Sequence, residues 1–170
     1  MGRILTLRGE LAPFSAEIPL DPQQIFAYES AGQNRAWKVT SWSIWPTDFG
    51  DGGGWTFTTK PVHKFVLATD TGATAINLLA SENRSIGWTY IVSDIGKTQT
   101  NLSPYFEDVM LDPEHLVTGQ LFISADALVT SADNSLPSTW SYMIKLESRS
   151  ITSSESIMQS LKGRGQDVTT

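Results

Sequence analysis

Residues 138–165 read STWSYMIKLESRSITSSESIMQSLKGRG, and their periodicity decides the class of fold. Trp140, Tyr142, Ile144 and Leu146 fall on one side of an extended chain, and Ser141, Met143, Lys145 and Glu147 on the other. That is the period-two pattern of a strand with one buried face. The period then changes. Thr152, followed at the third position by Glu155, forms a capping box: the threonine hydroxyl serves one orphan amide and the glutamate reaches back to another. Ile157, Met158 and Leu161 form a short helical stripe, and Gly163 and Gly165 are natural stops, so a helix is expected over 152–163.

Upstream, short strand patterns recur at intervals of about ten residues, the spacing of a sandwich or barrel. Residues 3–20 alternate and meet Pro13, which predicts an arm or edge strands. Asp21-Pro22 reads as a turn. Strands are expected at 24–30, 37–45, 55–59, 62–68, 85–93, 120–124 and 140–147, with 105–110 ambiguous. Asp112 followed by Pro113 reads as the start of a single helical turn, and 125–139 as a long exposed loop. The expectation is all-β: an antiparallel β-sandwich or jelly-roll-like barrel of about eight to ten short strands with a short C-terminal helix, in one domain spanning 1–170.

Composition narrows the function. The chain has 170 residues, enough for one domain with a proper core. A net charge of −6, from 12 basic and 18 acidic residues, is a poor basis for gripping a phosphate backbone, so no direct nucleic-acid partner is expected. Without cysteine, disulfide frameworks, thiolate metal sites and cysteine nucleophiles are excluded. The opening MGRILTLRGEL has no apolar signal region, and no run approaches the ~18 apolar residues of a membrane span; synthesis without a signal peptide and no membrane partner are expected. The glycosylation patterns at Asn83 and Asn101 are then accidental.

Catalytic chemistry is hard to place, and no enzyme activity is expected. Of the two histidines, His63 alternates with Phe65 and Leu67 as a sheet residue, and His115 lacks an i,i+4 partner histidine. There is no G-x-S-x-G elbow, and the glycines at 50–54 precede a strand-like segment rather than a phosphate-binding helix. Asp48 and Asp51 flank Gly50 and could offer oxygen ligands to Ca²⁺, but they lack EF-hand spacing and read as solvated turn carboxylates. No cofactor and no metal site is expected.

The six tryptophans say more. By phase, Trp88 and Trp140 belong with core-facing partners. In 37–45, Trp37, Val39 and Trp45 share one face while Trp42 and Ile44 share the other, so one set is exposed unless the strand is covered on both sides. Trp42, Trp45 and Trp55 are therefore the interface or ligand candidates, for protein contact or for sugar stacking.

With its many short strands, the Ser/Ala/Asp-rich segment 124–139, no Cys, scarce His, and a Y-x-I-x-L-E strand at 142–147 leading into the capped helix and Gln166-Asp167-Val168, the chain resembles small β-sandwich virion proteins of environmental bacteriophages. These are coat, cement or minor capsid proteins. The resemblance is one of makeup and carries over no functional residue. It implies a non-enzymatic structural subunit, synthesised in the host cytoplasm and located in the virion. Its partners would be further copies of itself, as a homo-oligomer, or other virion proteins. The alternative expectation is a carbohydrate- or receptor-binding β-sandwich that uses exposed tryptophans.

Overall fold

The computed structural model describes residues 2–15, 17–28, 34–47, 62–75, 84–92, 105–106, 109–128 and 139–164. In chain order the strands are β1 (Ile4–Glu10), β2 (Leu20–Ala27), β3 (Arg35–Pro46), β4 (Val62–Ala68), β5 (Ser85–Val92), β6 (Tyr105–Phe106), β7 (Met110–Leu111), β8 (Leu116–Val117), β9 (Gln120–Leu128) and β10 (Trp140–Ser150), followed by helix α1 (Ser153–Arg164). They form two antiparallel sheets. The first has the order β1-β10-β3-β8; the second runs β2-β9-β4-β5-β6, with β7 also on β5. The fold is an all-β sandwich with a short C-terminal helix, as the sequence predicts.

β10 organises the first sheet. Its period-two face is buried as expected, with Trp140, Ile144 and Leu146 fully enclosed. Trp140 reaches across to the second sheet, where its ring centroid lies 4.9 Å from Phe65 and 4.8 Å from His63. Phe14 meets both of those rings edge-on. This junction joins the inner faces of β10 and β4, and the main core extends from it through Ile44, Ile144, Ile91, Leu121 and Ile123. A second aromatic junction lies between β2 and β3, where Trp37 stands edge-on to Phe26 and Tyr28.

Two β-bulges change which residues face inward. In β3, Lys145 pairs with Ser41 but Leu146 pairs with Val39, so Thr40 is the extra residue. Before it, Trp37 and Val39 turn toward the core; after it, Trp42 and Ile44 do. In β5, Leu67 pairs with Gly87 and Ala68 with Ser85, leaving Ile86 without a partner on β4, while its carbonyl accepts from the Asp112 amide at 2.7 Å. Ile86, Thr89 and Ile91 are buried, while Trp88 packs on the outer face against the cluster of Val66, Ala68, Ala73 and Ala75. Trp88 thus departs from its expected place in the main core, because one added residue inverts the phase of everything after it.

Gly87 is required where it stands. A Cβ there would lie 2.7 Å from Leu111 Cδ2, 2.9 Å from the Met110 carbonyl oxygen and 3.4 Å from Trp42 Cε3. The missing side chain makes room for β7, whose Met110 carbonyl and Leu111 side chain lie closest.

Other segments differ from expectation for local reasons. Pro22 lies inside β2, at the register slip between Leu20 and Gln23, where an edge strand tolerates a missing donor. Asp112 opens a turn rather than a helix: its Oδ1 accepts from the Glu114 amide at 2.9 Å. β9 extends to Leu128, and everything from Leu121 to Ala127 is buried, so small and polar residues that resemble a loop form a strand covered on both faces. The expected strand at 55–59 lies outside the described residues.

Candidate interaction surfaces

The candidate tryptophans separate. Trp42 is only 4% exposed and belongs to the core, which corrects its place among the surface candidates. The physical reason is the Thr40 bulge. Trp45 is 38% exposed on the outer face of the first sheet. Trp55 lies outside the described residues, as do Asp48 and Asp51.

Trp45 stands at one end of a hydroxyl-rich face. It pairs with Ser141, Ser43 pairs with Met143, and Ser41 with Lys145. Thr47 Oγ1 and Ser141 Oγ are 2.8 Å apart in a hydrogen bond beside the indole. An aromatic plate next to short hydroxyls suits stacking against an amphipathic partner.

Helix α1 presents a second surface. Its start follows the sequence: the Thr152 amide donates to Glu155 Oε2 at 2.7 Å, and the Glu155 amide donates to Thr152 Oγ1 at 3.2 Å. The Thr152 hydroxyl also donates to Glu155 Oε2 at 2.9 Å, and the Thr152 amide first and this hydroxyl second hold the Glu155 carboxyl below its ordinary pKa. Ile151, just before the cap, is buried, and its amide donates to the Asn34 carbonyl at 3.0 Å. The docked face carries Ser156, which is buried. Ile157 and Met158 point away from the body, 57% and 69% exposed. Sequence reasoning finds this stripe but not its direction; the polar residues flanking it carry no signal of which side docks.

The third surface is the edge of β1, which among the described residues pairs with β10 alone. Its outward side chains include Ile4, 75% exposed, and Leu5 and Leu7 are half-buried on the inner side.

The titratable residues sit in structural settings. His63 is buried between Phe14 and Trp140, and burial lowers its pKa from 6.5 to about 4. Its Nδ1 finds no hydrogen-bond partner among the described residues, so the ring serves as a neutral aromatic surface rather than the neighbour-bonded sheet histidine. His115 is buried with Nδ1 3.8 Å from Asp112 Oδ2. Lys64 and Asp126 form a 2.7 Å ion pair on the outer face of the second sheet, with both side chains largely covered. Among the described residues, no three His, Asp or Glu side chains form a group that could hold a metal ion. No helix among them is long and apolar enough to cross a membrane.

Comparison with known protein families, with curated proteins and with solved structures finds no match to this chain.

Proposed function

We propose that this chain is a non-enzymatic structural subunit that works by protein–protein assembly, as a coat, cement or minor protein of a virus particle. The observation that carries the assembly reading is the outward apolar face of α1. Ile157 and Met158 are large and exposed, on a helix whose start is set by the capping box and follows the buried Ile151. In a solitary subunit they face water; covering each would contribute about 1.5–3 kcal/mol. The compositional resemblance to small phage virion proteins supplies the kind of particle. Further copies of the chain or other virion proteins are the partners this reading names, and the virion is its location. Light scattering across a wide concentration range tests it. Association is expected, weakened at least tenfold when Ile157 and Met158 are both replaced by serine. A chain that stays at 18.7 kDa throughout would contradict it.

A second reading rests on Trp45 and its hydroxyl-rich surroundings: a carbohydrate- or receptor-binding sandwich in which the indole stacks on a sugar ring. It predicts a glycan-dependent shift of tryptophan fluorescence from a monomeric protein, lost in Trp45→Ala. A screen with no such shift would remove it.

A further inference from the structure

We infer that β1 pairs antiparallel with β1 of a second copy about a two-fold axis, with Thr6 opposite Thr6, so that two four-stranded sheets join into one of eight. The inference rests on the assembly reading and adds a second surface to the outward face of α1.

The open backbone groups of β1 follow from the bonds at its ends. The Ser148 amide donates to the Arg3 carbonyl at 2.8 Å, and the Leu11 amide donates to the Trp140 carbonyl at 2.8 Å. Both pairs lie in the continuous register that sets Ile4 against Glu147 and Glu10 against Ser141. In an antiparallel ladder, bonded pairs alternate along the strand. Odd-numbered residues of β1 therefore bond to β10, and Ile4, Thr6, Arg8 and Glu10 turn their amides and carbonyls to the open edge. Gln23 closes one end of that edge: its Nε2 donates to the Glu10 carbonyl at 3.2 Å, and its Oε1 accepts from the Ala12 amide at 2.9 Å. Among the described residues, the donor–acceptor pairs that remain open are those of Ile4, Thr6 and Arg8, all exposed.

Only one register uses that whole stretch twice. Setting Thr6 against Thr6 places Ile4 against Arg8 of the other copy, and every open donor and acceptor finds a partner. Moving the axis toward Leu7 would bring Ile4 against Glu10, whose carbonyl Gln23 already occupies. In the chosen register Leu5 faces Leu7 of the other copy on the inner side and extends the apolar core across the junction.

Charge favours the same arrangement. Ile4 stands beside Glu147 on β10. The incoming Arg8 arrives on the other side of Ile4, so its guanidinium can extend over that side chain toward Glu147. Symmetry makes this cation–carboxylate approach occur twice, with no like charges directly opposed across the new pair. Ile4, the most exposed large apolar residue among those described, is covered in the process.

The chain lacks cysteine, so Thr6→Cys would carry a unique thiol. In the inferred pairing the two Cα atoms at position 6 lie about 5.5 Å apart, within the span of a disulfide. Mild oxidation of the full-length variant is expected to give a covalent dimer on non-reducing electrophoresis, whereas Ser43→Cys, mid-sheet on the outer face, gives none. Thr6→Pro removes an amide that β10 does not use and should raise the dimer dissociation constant at least tenfold. Arg8→Glu should do the same, with Glu147→Arg restoring association in the double variant. Assembly that persists unchanged in Thr6→Pro and Arg8→Glu, with no cross-link at position 6, would overturn this edge while leaving assembly through another surface. A wild-type chain that is monomeric at every concentration would overturn both.

Discussion

The Thr40 hydroxyl donates to the Lys145 carbonyl at 3.1 Å, at the point where β3 slips one residue against β10. A single inserted residue thereby turns Trp42 into the core and leaves Trp45 on the surface. The same slip makes room for both Val39 and Ile44 on the inner face.

This division predicts opposite outcomes for two tryptophans three positions apart. Trp42→Ala should cost about 3–5 kcal/mol in urea unfolding, since it empties a packed site against Gly87. Trp45→Ala should stay within about 0.5 kcal/mol. Equal effects would mean that the bulge does not set the phase of β3.

His63 makes stability depend on pH. The unfolded chain protonates this group near 6.5, whereas the folded chain holds it neutral down to about 4. Between those values the unfolded state binds more protons, so stability is intact above 6.5 and falls as the pH drops toward 4. The full loss from this group is about 3 kcal/mol. His63→Phe, which keeps a ring against Phe14 and Trp140, should show a shallower decline over that window. Parallel curves for the two proteins would place the acid sensitivity elsewhere.

Thr152→Ala should lower stability by about 0.5–2 kcal/mol through loss of the cap. The hydrogen-exchange protection of the first turn of α1 should fall with it. Unchanged protection would mean the helix start does not depend on this side chain.

Lys64 and Asp126 face each other across β4 and β9 in register. Lys64→Met alone leaves a covered carboxylate without this cation and should cost about 3 kcal/mol. Adding Asp126→Leu should recover most of that loss. A double variant as unstable as the single one would show that Asp126 has a role beyond the pair.

The parts legible in the sequence were those fixed by local physics. β10 shows its buried face through strict alternation, and the capping box at Thr152 and Glu155 involves residues only three apart. Trp140 could be assigned to the core because no irregularity interrupts its strand. The bulges at Thr40 and Ile86 were not legible, since no residue type marks an inserted position and each inverts the phase beyond it. The outward direction of Ile157 and Met158 was hidden for a different reason: it depends on which side of α1 meets the sandwich. β9 beyond Ser124 reads as loop because Ala125, Asp126 and Ala127 are small or charged, yet the aspartate is matched by Lys64 across the sheet. Gly87 is legible only once the neighbouring β7, with Met110 and Leu111, is placed.

The most direct test of the central claim is the mass in solution of the full-length chain, by size-exclusion chromatography with light scattering, from low to high micromolar concentration. Assembly predicts a mass that rises above 18.7 kDa to a dimer or larger closed species, and association that weakens in the Ile157→Ser/Met158→Ser variant. A wild-type mass fixed at the monomer value over the whole range would contradict the structural-subunit account and leave Trp45 and its hydroxyl-rich face as the surface to pursue.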